Sequence, residues 1–344
     1  MNAQPQYWFG VLDQLGRRMD ALLADAACDS VLVRAAAANP WFTLEDIRFA
    51  LHALRTHMLD AEVLREWFSH YEFGQQQPAD VALILAGNIP LVGFHDLMCV
   101  LVAGHTPFVK PSSKDTILIE WVIDQLRNID SQIVVRTYSQ EVEYDAAIVS
   151  GSDNTERLFR AHFASIPTII RGSRNSAAII SGAESECQIR GLAQDMFRYS
   201  GLGCRNVSLL MVPHDCDLQR LAAMINSAVP DLNPKFINNY RHLRAKLTAQ
   251  GEQFVDCGCF VMTENDDFQV DISNIAVVRY DSATDIANWL ARHQRQLQCV
   301  VGGGEHHSRS VDFGSAQLPF PWDYPDGIDT LQFLLNLHNP ESIP

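Results

Sequence analysis

Hydrophobic residues early in the chain recur at steps of three and four: Trp8, Leu12, Leu15, Met19, Leu22 and Leu23, then Ile47, Leu51 and Leu54, then Leu64, Trp67 and Phe68. Such spacing lines one face of a helix, so residues 1–74 are predicted to form a helical N-terminal region. Gly74-Gln75-Gln76-Gln77-Pro78 ends that pattern. Beyond it, short apolar runs rich in β-branched residues alternate with longer amphipathic stretches. Strands are predicted at 81–85, 106–109, 132–135, 146–149 and 167–170, with helices between most of them. A second series puts strands at 177–180, 207–212, 275–280 and 298–301 and helices near 186–199, 216–227 and 283–293. This alternation predicts parallel, doubly wound α/β sheets. Two such layers fit residues 75–175 and 176–305, with 306–344 as a C-terminal segment expected to pack back on the first layer.

Composition narrows the function classes. With 344 residues, 47% hydrophobic and 19% charged, the chain is long enough for two cores and lies in the globular range. Its formal charge of -15 repels phosphate backbones and anionic lipid, which argues against nucleic acid and membrane surfaces as partners. No apolar run approaches the roughly 20 residues needed to span a bilayer. Met1-Asn2-Ala3-Gln4-Pro5-Gln6 lacks the basic start and apolar stretch of a secretion signal, so a cytoplasmic location is expected. The 8 cysteines include no CxxC pair and are expected as thiols. Cys257-Gly258-Cys259 is too tightly spaced for a zinc knuckle and His306-His307 lies far downstream, so no metal is expected. Gly302-Gly303-Gly304-Glu305 reads as a flexible connector more readily than as a phosphate contact, and Arg171 and Arg174 as solvated surface charges more readily than as partners for coenzyme A phosphates.

The GxGxxG fingerprint of a dinucleotide site is absent between any strand and the helix it feeds. Instead, Ala86-Gly87-Asn88-Ile89-Pro90 follows the first strand of the first layer, and Lys110-Pro111-Ser112-Ser113 closes the second. Asn88 and Lys110 therefore sit at the carboxyl edge, where open parallel sheets bind ligands. Gly151-Ser152-Asp153-Asn154-Thr155 follows another strand and opens a helix, whose N–H groups can hold a phosphate. In the second layer, Ser200-Gly201-Leu202-Gly203-Cys204-Arg205-Asn206 forms a glycine-rich turn between a helix and a strand. A cysteine there can present both its sulfur and its own N–H to an acyl carbon.

Taken in order, these motifs resemble the aldehyde dehydrogenase superfamily. With Phe313-Gly314-Ser315-Ala316-Gln317 and Asp323-Tyr324-Pro325-Asp326-Gly327-Ile328-Asp329-Thr330-Leu331, they are most similar to the acyl-CoA reductase family that includes the LuxC-type fatty acid reductases. The resemblance implies an aldehyde dehydrogenase-like α/β fold of two doubly wound Rossmann-like domains, cofactor-binding over 75–175 and catalytic over 176–305. It implies Cys204 as nucleophile, an oxyanion hole from the Cys204 N–H and the Asn88 amide, and cofactor contacts from Lys110, Ser113, Gly151 and Ser152. Lys110 matches a lysine that bonds the adenosine ribose. Ser113 stands where a glutamate often excludes a 2′-phosphate, and with Lys114 adjacent this favours NADP(H).

Hydrolytic members carry a water-activating glutamate on the strand before a glycine-glycine-lysine turn. Here that stretch is Ile169-Ile170-Arg171-Gly172-Ser173-Arg174, and no Asp or Glu occurs from 157 to 183. The departure implies the thioester-reducing branch: NADPH-dependent reduction of acyl-CoA, or an acyl group on a carrier, to an aldehyde through a cysteine-linked acyl-enzyme. An acyl-phosphate reductase, a non-hydrolytic aldehyde dehydrogenase, and an inactive nucleotide-binding scaffold of an acyl-transfer complex stay open. An acyl-transfer partner protein and a homo-oligomer are the expected assemblies.

Overall fold

A computed structural model describes residues 5–24, 29–74, 77–269, 271–302, 304 and 306–337. Met1–Gln4, Cys28, Gln75, Gln76, Gly303 and Glu305, on which expectations above bear, lie outside the described residues, as do residues 338–344 of the C-terminal segment. The chain divides into two compact units, Met1–Ser173 with Pro319–Pro344, and Arg174–Leu318. The division thus falls at Ser173/Arg174, and the C-terminal segment is itself split, staying with the second unit through Leu318.

The first unit opens with four helices, α1 (Pro5–Ala24), α2 (Asp29–Ala38), α3 (Leu44–Ala53) and α4 (Ala61–Ser69). Their apolar stripes are buried: Trp8, Leu15, Met19, Leu64 and Trp67 join Val81, Leu83 and Leu97 in one core. The N-terminal helices therefore share the core of the sheet that follows. That sheet comprises β1 (Asp80–Ile84), α5 (Phe94–Val102), β2 (Thr106–Lys110), α6 (Thr116–Ile129), β3 (Arg136–Thr137), β4 (Ala146–Ser150), α7 (Asp153–His162) and β5 (Thr168–Arg171). Its order is β3-β2-β1-β4-β5 with every pair parallel. The chain runs outward from β1 to β3 and then returns to the other side of β1, the reversal at which open sheets place ligands beyond their carboxyl ends. β3 is displaced from its expected position at 132–135: Ile133 and Val135 are buried in the core, and only Arg136 and Thr137 pair with β2.

The second unit contains β6 (Asn175–Ile179), α8 (Glu186–Phe197), β7 (Val207–Pro213), α9 (Leu218–Asn226), α10 (Pro234–Gln250), β8 (Val255–Asp256), β9 (Val261–Glu264), β10 (Asn274–Tyr280), α11 (Ala283–His293), β11 (Leu297–Val301) and β12 (Ser310–Val311). The order is β12-β11-β6-β7-β10-β9-β8, parallel except for the β8–β9 edge. The expected series of elements passes over α10, β8, β9 and β12. After Leu318 the chain re-enters the first unit, where α12 (Thr330–Leu335) buries Leu331 and Leu334 in the same core as α1 and β1. Among the described residues no helix is long and apolar enough to cross a membrane.

Candidate active site

In the first unit, strand register gathers the expected cofactor residues at one edge. Ile84 lies opposite both Lys110 and Val149, so Asn88, Lys110 and Gly151 leave the sheet at its carboxyl end. Lys110, Ser113 and Ser152 are exposed, whereas Asn88 and Gly151 are half-buried. The loop bearing Asn88 passes tightly against the Lys110–Ser113 loop: a Cβ on Gly87 would lie 2.5 Å from Ser112 Cβ, so only glycine fits. Leu91 adopts the left-handed region at φ 57, and its N–H donates to Asp115 Oδ2 at 2.7 Å. Asp115 is 3% exposed. Burial pushes its carboxyl up to about 7, against the opposing pull of the Leu91 N–H.

At the start of α7, Ser152 is the N-cap, and Asp153 and Glu156 occupy the first turn. Asp153 accepts the Ser173 N–H at 3.0 Å. Two carboxylates already complement the positive end of this helix, so a phosphate near Gly151 and Ser152 would meet like charge.

Arg171 corrects the surface reading. It is 4% exposed at the end of β5, and its Nη1 donates to both oxygens of Asp96 at 2.8 Å. Nη1 also reaches Ser150 Oγ at 3.2 Å, and Nη2 donates to Thr330 Oγ1 at 2.7 Å. The guanidinium thus joins α5, β4, β5 and α12, and both oxygens of Asp96 are committed to it. Removing one partner of such a pair leaves an uncompensated buried charge.

In the second unit, Cys204 lies half-buried in the turn between α8 and β7. Three consecutive residues ahead of it, Tyr199, Ser200 and Gly201, have φ of 56, 57 and 67. For the two that are not glycine this costs about 1–2 kcal/mol each, which the surroundings must offset. Asn206, 3% exposed, does so. Its Nδ2 donates to the carbonyls of Asp195, Met196 and Arg198 at 3.0, 3.3 and 2.9 Å, closing the end of α8. Its Oδ1 accepts the Gly203 N–H at 2.8 Å. The Cys204 carbonyl accepts Ser176 Oγ at 2.9 Å, and the Cys299 N–H donates to that same hydroxyl oxygen at 3.2 Å. Below the turn, the fully buried Asp195 accepts the N–H groups of Gly314 and Ala316 at 2.6 and 2.9 Å, and burial raises its carboxyl to about 7.

Five other thiols are held in their protonated form by burial. Burial pushes Cys99, Cys216 and Cys299 up, Cys257 to about 12 and Cys259 to about 11, which keeps them protonated at neutral pH. Cys187 is exposed on the first turn of α8. No cluster of three or more metal-ligating side chains occurs among the described residues.

Asn206, Ser176 and Asp115 were not singled out by the sequence. An asparagine two residues past the cysteine is the one local signal, because Asn bonds readily to nearby backbone; Ser176 and Asp115 act on loops remote in sequence.

Residues 48–234 match the family model described as acyl-CoA reductase (LuxC). No curated protein sequence matches the chain. Among solved structures, it is similar to aldehyde dehydrogenase 21 of Physcomitrella patens in complex with succinate, at 11% identity and TM-score 0.71 over 97% of this chain and 84% of that one. An NADP-dependent enzyme of E. coli matches at 12% identity and TM-score 0.68, covering 91% and 78%. An aldehyde dehydrogenase of Bacillus cereus in complex with NAD+ matches at 14% identity and TM-score 0.61, covering 87% and 71%. These likenesses establish the aldehyde dehydrogenase-like fold.

Proposed function

The chain belongs to the acyl-CoA reductase (LuxC) family and is an oxidoreductase, and from that premise we propose that it reduces an acyl thioester to an aldehyde with NADPH through an acyl-enzyme on Cys204. The Cys204 thiolate attacks the thioester carbonyl, a new C–S bond forms, and the coenzyme A or carrier thiolate leaves. The oxyanion is stabilised by the Cys204 N–H, with the Asn88 amide as the second donor. Lys110 and Ser113, exposed at the carboxyl edge of a parallel sheet beside Gly87, suit the adenosine end of a nicotinamide dinucleotide. When bound, that cofactor supplies hydride. Cys204 finally gives up the aldehyde as its C–S bond breaks, and the thiolate is restored.

The observation that carries this reading is the immobilised turn around Cys204, whose backbone is held from both sides by Asn206 and Ser176. The acyl-enzyme is long-lived in this scheme because the stretch 169–174 carries no Asp or Glu where hydrolytic members carry a water-activating glutamate. The test is intact-protein mass spectrometry after mixing with acyl-CoA and no cofactor. One acyl adduct on Cys204, absent in Cys204→Ser, is expected, with the exposed Cys187 as the internal control. Reductase activity surviving in Cys204→Ser overturns the scheme.

A further inference from the structure

We propose that Asp115 is a positioning residue: it fixes the shape of the Asn88 loop and ties that loop to the Lys110–Ser113 cofactor loop. The inference rests on the role given to Asn88 above. Two unfavourable features meet at this carboxylate. Leu91, three residues past Asn88, is a buried leucine in the left-handed region, and the bond from its N–H to Asp115 Oδ2 is what holds it there. The other oxygen, Oδ1, is buried without a hydrogen-bond partner. Natural cores seldom retain an unpartnered buried oxygen, and strained backbone persists where a working geometry depends on it. Stability alone gives no reason for either.

Connections on the far side of Asp115 run into the cofactor loop. The Asp115 N–H and Thr116 Oγ1 both donate to the Ser112 carbonyl at 3.0 Å. A Cβ on Gly87 would stand 3.2 Å from Asp115 Cβ, so the two loops are in direct contact on both flanks of Asn88. Downstream, the Leu91 carbonyl accepts the Phe94 N–H at 3.0 Å, and α5 begins. The peptide from Asn88 to Leu91 is therefore anchored by β1 at one end and by Asp115 at the other, with Pro90 restricting the backbone between.

The experiment measures the single-turnover rate of Cys204 acylation by acyl-CoA and the KM for NADPH, in the wild type, Asn88→Ala, Asp115→Ala, Asp115→Asn and the Asn88→Ala/Asp115→Ala double variant. Asp115→Ala should slow acylation about tenfold or more, in line with losing a well-placed oxyanion donor. It should also raise the KM for NADPH. Asp115→Asn, whose amide oxygen still accepts the Leu91 N–H, should recover most of both. The double variant should be no slower than Asn88→Ala alone, because Asp115 acts through Asn88. Wild-type acylation in Asp115→Ala, or losses that multiply in the double variant, overturns the proposal while leaving the enzyme's function intact. Absence of any adduct on the wild type, or full-rate acylation in Asn88→Ala, brings down the functional reading first and this one with it. If thermal denaturation shows Asp115→Ala to be unfolded, Asp115→Ser takes its place in the same cycle with the same expectations.

Discussion

The turn that carries Asn88 and the turn that carries Cys204 solve one problem with different chemistry. Both force non-glycine residues into the left-handed region, Leu91 in the first unit and Tyr199 with Ser200 in the second. Both are held by one buried side chain. Asn206 does this with a neutral amide whose donor and acceptor atoms are all engaged, bonding three carbonyls and one N–H. Asp115 does it with a single bond from an ionisable group that leaves its other oxygen unmatched. An amide keeps the same hydrogen bonds at every pH, so the bonds Asn206 makes to the nucleophile turn do not change with proton concentration. The carboxyl that holds the Asn88 loop titrates.

The most severe way to break this contrast is Asn206→Ala, which takes the amide away from three carbonyls and the Gly203 N–H at a buried site. Loss of acylation and a fall of several kcal/mol in unfolding free energy are expected, since each unsatisfied buried group costs about 1–3 kcal/mol. Asn206→Asp should be as damaging, because a carboxylate cannot donate to carbonyls. A variant that acylates normally would show the turn to be self-supporting.

Next in size is the response to pH. Asp115 and Asp195 titrate near 3.8 unfolded and at about 7 folded. Between those values the native state binds more protons than the unfolded state, so stability falls as pH rises from 4 to 7, and the loss is complete above 7. Asp115→Asn should remove on the order of 1–4 kcal/mol of that loss from the first unit, and Asp195→Asn a like amount from the second. Denaturant midpoints at pH 5 and pH 8 check both, and equal slopes in variant and wild type contradict the idea.

Gly191→Ala probes the second unit alone. A Cβ there would meet Gly314 N and Phe313 C at 2.8 Å, which is backbone that cannot swing aside. Overpacking of about 1–3 kcal/mol is expected, with the cofactor KM unchanged. A neutral substitution would mean that the loop at 312–318 is not clamped to α8. The smallest effect belongs to Ser113→Glu. A new carboxylate beside the site for a 2′-phosphate should narrow the preference for NADPH over NADH by about tenfold or less, because the position is exposed and screened. Equal KM values for both cofactors in the wild type would remove the basis for NADPH.

The sheets were legible because their strands are short apolar runs that end at glycine or proline, as at Ala146–Ser150 before Gly151 and at Val207–Pro213. β3 was misplaced because Ile133 and Val135 alternate like a strand yet are buried without ladder partners. α10 escaped notice since Phe236, Tyr240, Leu243 and Leu247 form a thin apolar stripe among polar residues. At the site, glycine-bounded motifs marked where backbone approaches a ligand. Burial of Arg171 could not be read, because its partners Asp96 and Thr330 lie 75 and 159 residues away. The same distance problem hid Asp115 and Ser176, whose effects are exerted on turns that carry no trace of them.

The insertion of the second unit between Ser173 and Pro319 also sets an order of events during synthesis. Thr330, which completes the shell around Arg171, and Leu331 and Leu334, which complete the core against the N-terminal helices, leave the ribosome only after the whole second unit has been made. The earlier-encoded unit is therefore the later to close. A nascent chain ending at Leu318 carries every residue of the second unit and a first unit with part of its apolar core open to water, the condition in which partly folded chains call on chaperones.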